Sequence, residues 1–333
     1  MKSSPDSLRH HCGVVGIFCK NGTSIPEKLF YGLFALQHRG QESAGIAYRK
    51  EGNLVVYKDL GMVSQVLSRY LREPRISTVG IGHVRYSTHG GSRLENAQPV
   101  MASCNKGQLA IAHNGNISNA PAINRRLVEE GSIFQSTSDT ELMLHLIARS
   151  RRRTFHDALI ETLGQLEGAY SMVVAHDNSL IAVRDRNGFR PLYIGTKEGI
   201  TVVASETCAM DMLRINDCRE VEPGELIHVD DGGARSESFA GTPNRSACIF
   251  ELIYFARPDS EVFGHSVHLV RKKMGAALAD DDPISADVVI PVPDSGNSAA
   301  LGYAERSGIP FELGLTRNHY TGRSFILPTT AER

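Results

Sequence analysis

Cys12 stands at the head of the apolar run GVVGIF, behind eleven residues, MKSSPDSLRHH, that offer a core almost nothing. A thiol in that position is either a small buried hydrophobe or a nucleophile. Removing the prefix would free the α-amine of Cys12 beside its own thiol. An α-amine titrates at about 7.7–8.0, near enough to neutrality to serve as the base. A metal site built from His10, His11 and Cys12 is disfavoured, because adjacent side chains point apart and no second ligand cluster lies at a matching spacing.

A nucleophile also needs donors for the charge it creates and an anchor for its substrate. In AIAHNGNISN, Asn114 and Gly115 can present a side-chain amide and a backbone N–H to a developing oxyanion, or they can be an ordinary hairpin turn. Arg85, at the end of GIGHVR, is either a two-pronged carboxylate holder or a solvated surface arginine. Asp139, behind Ser138, is either a helix-start carboxylate or the partner of a substrate ammonium group.

Such residues are only useful if rigid elements hold them. From Cys12 to about Val229, β-branched apolar runs recur between turns: GVVGIF, SAGIAY, LVVYKD, STVGIGHV, LAIAHNG, YSMVVAH, SLIAVRD, ITVVAS and ELIHV, all read as strands. PEKLFYGLFALQHR and SDTELMLHLIARSRRRTFHDALIETLGQL carry helical spacing. Runs of strands with clustered helices predict sheet layers under helices, an α+β organisation. The polar segment Asp230 to Ala247 reads as the linker to a second domain. Beyond it, ADVVIPVPDSGNSAALGYAERSGIPFELGL reads as strand, turn, helix and strand, the opening of an α/β domain.

The 36 basic and 37 acidic residues nearly cancel, which leaves no electrostatic footprint for nucleic acid or an anionic membrane. No apolar stretch has the length of a membrane span, and the prefix lacks the hydrophobic segment of a secretory signal. Six cysteines without a CxxC pair fit reduced thiols, so a cytoplasmic small-molecule enzyme is expected.

In this order, CGVVGIF, LFALQHRGQESAGIAY, GIGHVRYSTHG, IAHNGNISN, STSDTE, RDRNGFRPLYIG, ASETCAMD and VEPGELIHV resemble the glutamine phosphoribosylpyrophosphate amidotransferase family, as do CIFELIYFARPDS and PVPDSGNSAALGYAERSGIPFELGLTRN. The resemblance implies a propeptide at 1–11. It implies a class II glutamine amidotransferase domain at 12–240, an N-terminal-nucleophile αββα sandwich, and part of a type I phosphoribosyltransferase domain at 241–333. It further implies that Cys12 attacks the glutamine amide to form a thioester. Arg85 would bind the substrate α-carboxylate and Asp139 its α-amine, with Asn114 and Gly115 stabilising the tetrahedral intermediate. Ammonia would then displace pyrophosphate from phosphoribosyl pyrophosphate, in the first step of de novo purine synthesis.

For the second half, the resemblance implies a pyrophosphate loop at Pro293 to Ala300 with Ser295 near a Mg²⁺ ion. Cys248 would be the first ligand of a [4Fe–4S] cluster, and the full-length enzyme a homo-oligomer. No apolar strand followed by two adjacent acids and a Gly/Thr-rich loop occurs before Arg333, so the transferase half is expected to be cut short and inactive. The other cluster cysteines would likewise lie past Arg333. Two alternatives stand beside this reading: a class II glutaminase serving another acceptor, as in asparagine or glucosamine 6-phosphate synthesis, and a catalytically silent assembly or regulatory piece.

Overall fold

A computed structural model of the chain describes residues 12–71, 75–86, 93–241 and 245–318. The expected propeptide lies outside the described residues. The chain half-builds one sheet, leaves to build most of a second, and then returns to finish each. The first sheet starts with β1 (Gly13–Ser24), β2 (Ser43–Lys50), β3 (Asn53–Leu60) and β4 (Ile76–Arg85); the second with β5 (Val100–Cys104), β6 (Gly107–Ile117), β7 (Gly168–His176) and β8 (Ser179–Arg184). β9 (Tyr193–Lys197), β10 (Ile200–Ala204) and β11 (Cys218–Glu220) complete the first, and β12 (Glu225–Asp230) and β13 (Gly233–Ser238) complete the second. The spatial orders are β11-β9-β10-β1-β4-β2-β3 and β13-β12-β8-β7-β6-β5, antiparallel throughout.

Period-two alternation explains how the sheets stack. In β1, Val14 and Phe18 face the second sheet, where they meet Ala110, Ala112, Val173 and Leu180, while Val15 and Ile17 face the helices. α1 (Ile25–Ala35) covers the first sheet with Ile25, Leu29 and Leu33, helped by α6 (Thr207–Met212), while α2 (Val63–Val66) packs at its side. α3 (Ala120–Glu129), α4 (Asp139–Arg149) and α5 (Phe155–Leu163) cover the second. The result is a four-layer αββα sandwich with three apolar interlayers. Each fully buried Leu, Ile or Val contributes about 1.5–3 kcal/mol, so both faces of the central strands stabilise the fold.

The long helical pattern from Ser138 is two helices. α4 stops at Ser150, whose extended ψ of 135° leaves the helix, and Thr154 opens α5 by accepting a hydrogen bond from Asp157 N. The polar stretch read as linker begins with a strand: β13 is an edge strand exposed along its whole length, which is why its residues are polar.

The second unit packs two helices, α7 (Val267–Asp281) and α8 (Asn297–Ser307), at close range. A Cβ on Gly302 would press into Lys272 O, and one on Gly275 into Ala299 O. The flanking runs read as strands meet in a single parallel bridge, Val289 to Phe311, so the strand, helix, strand order is present in minimal form.

Candidate active site

Strand parity gathers the proposed site at one end of the inter-sheet layer. Asn114 shares the inward face of β6 with Ala110 and Ala112, and Arg85 that of β4 with Val79 and Ile81. Cys12 precedes β1 on the parity of Val14. Its nitrogen donates to Asn114 Oδ1 at 3.1 Å, which leaves Asn114 Nδ2, fully buried, without a hydrogen-bond partner among the described residues. An unspent amide donor held against a cysteine is what an oxyanion needs. Asn114 and Gly115 are not a turn: β6 runs on to Ile117, and Gly115 pairs with Tyr170 in the middle of the ladder. Glycine is required there, because φ is 153° and a Cβ would collide with Ala169 O.

Burial pushes the Cys12 thiol up to about 11, against the lowering effects of Tyr86 O, 3.9 Å away, and of the Arg85 guanidinium; Glu42 and Asp139 raise it further. Such a thiol is protonated at neutral pH and needs a base close at hand. That electrostatic reach also places Cys12, Arg85, Asp139 and Glu42 in one neighbourhood.

Arg85 is neither solvated nor free, since its Nη1 bonds Glu42 Oε1 and both side chains are buried. Asp139, the first residue of α4, turns its carboxylate back to the sheet, where Oδ2 accepts from Ile117 N at 3.0 Å and Oδ1 lies 3.6 Å from His113 Nδ1. It is about one fifth exposed, the most open of the site carboxylates. The structure therefore brings Cys12, Arg85, Asn114, Gly115 and Asp139 together.

Sequence reasoning missed the ionic support beneath Cys12. Arg39 is completely buried; its Nε donates to Cys12 O at 2.9 Å and its Nη groups bind Glu206 and Glu251. Burial opposes the charge of Glu206, but His38 and Arg39 hold its carboxylate well below the usual range. The available signal was a charge inside an apolar run, as in VVASETCAM and CIFELIYF, where a carboxylate must have a buried partner.

In the second unit, Ser295 lies in the turn before α8, beside Asp294, whose carboxylate is taken by Arg317 at 3.0 Å. A cavity of about 350 Å³ opens next to this turn, lined by His268, Asp294, Asn297, Ser298 and Phe311 among others. Cys248 is a lone free thiol whose backbone N donates to Phe189 O at 3.1 Å. Among the described residues no group of three His, Cys, Asp or Glu side chains could hold a metal ion.

A glutamine amidotransferase domain family matches residues 83–212. The amidophosphoribosyltransferase of Bacillus subtilis (strain 168) is 46% identical over 327 residues, 98% of this chain and 68% of that protein. The Methanocaldococcus jannaschii amidophosphoribosyltransferase is 43% identical, over 97% of this chain and 72% of that protein. Amidophosphoribosyltransferase 3, chloroplastic, of Arabidopsis thaliana is 48% identical, and this chain spans 61% of its length. Two solved structures superpose on 96% of the chain at 46% identity, each over 69% of its own length. One, an allosteric regulatory enzyme of purine biosynthesis, has a TM-score of 0.89; the other, the B. subtilis glutamine phosphoribosylpyrophosphate amidotransferase complexed with ADP and GMP, has 0.87. At 46% identity across more than two thirds of the Bacillus enzyme, the chain belongs to the amidophosphoribosyltransferase family.

Proposed function

We propose that the chain carries the glutaminase centre of an amidophosphoribosyltransferase, with Cys12 as nucleophile. One observation carries the reading: a buried cysteine nitrogen is held by Asn114 Oδ1 while Asn114 Nδ2 stays unspent beside it. The Cys12 amine, free once residues 1–11 are removed, takes the thiol proton, and the sulfur attacks the side-chain amide carbon of glutamine. Asn114 Nδ2 and Gly115 N–H receive the oxyanion, while Arg85 and Asp139 hold the α-carboxylate and α-ammonium. Collapse returns the proton to the leaving nitrogen and releases ammonia; water then cleaves the thioester to glutamate, regenerating the thiol.

The ammonia is read as displacing pyrophosphate from phosphoribosyl pyrophosphate to give 5-phosphoribosylamine, with the turn at Ser295 and the N-terminus of α8 on the pyrophosphate side. Mg²⁺ would neutralise the pyrophosphate, mainly through its oxygens, and Ser295 is the residue offered to it. A [4Fe–4S] cluster has no set of ligands among the described residues, and no step passes through one. Free cysteines support a reading as a cytoplasmic protein, and the homo-oligomer is read from the family resemblance. No helix among the described residues is long and apolar enough to cross a membrane.

The test is intact mass together with Cys12→Ser. Loss of eleven residues and loss of glutamine hydrolysis in the variant are expected. Undiminished hydrolysis by Cys12→Ser would move the nucleophile elsewhere.

A further inference from the structure

Cys12 sits just outside the sheet, since the β1 ladder begins at Gly13, paired with Val84. Side chains hold its backbone instead: Asn114 Oδ1 takes the nitrogen, and Arg39 Nε takes the carbonyl. Arg39 is itself held from two directions. Glu206, at the entrance to α6, binds Nη1, and Glu251 binds Nη2 at 2.8 Å from 212 residues away. Glu251 opens the π-turn Glu251–Phe255 of the second unit, which packs against α7. Its Oε1 also takes Arg190 Nη1 at 3.3 Å, while its Oε2 has no hydrogen-bond partner among the described residues. Two guanidinium groups and two carboxylates thus balance inside the protein, with His38 2.8 Å from Glu206.

We infer that Glu251 is a positioning residue for the Cys12 centre, acting from the second unit through Arg39 on the Cys12 carbonyl. The inference rests on the reading of Cys12 as nucleophile. Its physical basis is that a terminal residue with free rotation would carry both thiol and amine away from the substrate. Misplacement by about 1 Å can cost about 10²-fold in rate. Glu251 fixes the guanidinium plane, the plane fixes the carbonyl, and the carbonyl fixes the rotation about the Cys12 backbone. The second unit is therefore part of the glutaminase centre even though it touches no reacting atom.

The test is steady-state glutamine hydrolysis by the full chain, read together with thermal melting, for Glu251→Gln, Arg190→Gln, Arg39→Lys and Cys12→Ser. Glu251→Gln is expected to lower kcat about 10–100-fold with the KM for glutamine unchanged within about twofold. Arg190→Gln disturbs the charge balance of the same buried group but leaves the Arg39 to Cys12 bond in place. It should lower the melting temperature comparably while keeping kcat within about threefold. Arg39→Lys keeps a cation between the carboxylates without the three-way fork, so it should lose kcat as Glu251→Gln does. It decides the matter if Glu251→Gln fails to fold. An unchanged kcat in Glu251→Gln, or in Arg39→Lys where that variant decides, overturns the inference, as does an equal loss in Arg190→Gln. If Cys12→Ser abolishes hydrolysis and Glu251→Gln does not alter it, only this inference falls. If Cys12→Ser keeps hydrolysis, the nucleophile assignment falls and takes the inference with it.

Discussion

Cys12 N and Asn114 Oδ1 meet at 3.1 Å across 102 residues of chain, with both residues buried. The carbonyl of the asparagine orients the cysteine, and the amide of the same side chain is left for substrate. Asn114→Ala removes both functions. It should reduce kcat for glutamine hydrolysis by about 10²–10³, the usual cost of one oxyanion donor, with a smaller effect on KM. A loss confined to KM would mean that Asn114 binds the ground state only.

Arg85→Lys keeps a cation against Glu42, so the buried pair survives and the melting temperature should change little. The planar fork is lost, and with it the two-pronged hold on a carboxylate. The KM for glutamine should rise by about 1.5–3 kcal/mol in binding terms, the worth of a hydrogen bond to a charged group. An unchanged KM would move the anchor elsewhere.

Burial pushes His83 down to about 3. The folded state therefore keeps it neutral, whereas the unfolded chain takes up a proton below about 6.5. Stability is fully present above that value and is lost as pH falls toward 3, with a slope of up to about 1.4 kcal/mol per pH unit from this group. His83→Gln, which can still donate to His113 O, should flatten the acid limb of a stability profile measured by urea unfolding between pH 7 and 4. Parallel profiles for the two proteins would show that His83 does not titrate on unfolding.

Gly302→Ala should destabilise the α7 and α8 pair by about 1–3 kcal/mol, the cost of overpacking a close contact. Its Cβ has no room beside Lys272 O. The effect is read by thermal unfolding, and Gly199→Ala, at an open site with φ of 76°, is the contrast: strained in backbone but without a clash.

Much of this was legible in the sequence because strands with both faces buried are apolar throughout. Every run read as a strand between Cys12 and Val229 is one, and sheet layers under helices follow from them, while the αββα order came from the family resemblance. β9 and β11 escaped notice because they are short and partly exposed, and β13 because an edge strand facing water carries no apolar signal. Asn114 and Gly115 were identified without their setting: the dipeptide that marks a hairpin is here strand interior, which only the pairing with β7 decides. Arg39, Arg190, Glu206 and Glu251 were invisible as a group, since nothing in their spacing says that four charges from distant segments neutralise one another inside the protein.

The position of β1 has a temporal consequence. Its partners are β4, on residues 76–85, and β10, on residues 200–204. During synthesis at roughly 5–20 residues per second, one edge of β1 stays unpaired for many seconds after the other is closed. Asn114 emerges within that interval, and Glu206, which clamps Arg39, emerges only after β10. The first strand made is thus among the last to be locked in place. A ribosome-bound chain ending shortly before Ile200 would carry Cys12 on an open ribbon edge, unable to set the geometry on which its chemistry depends.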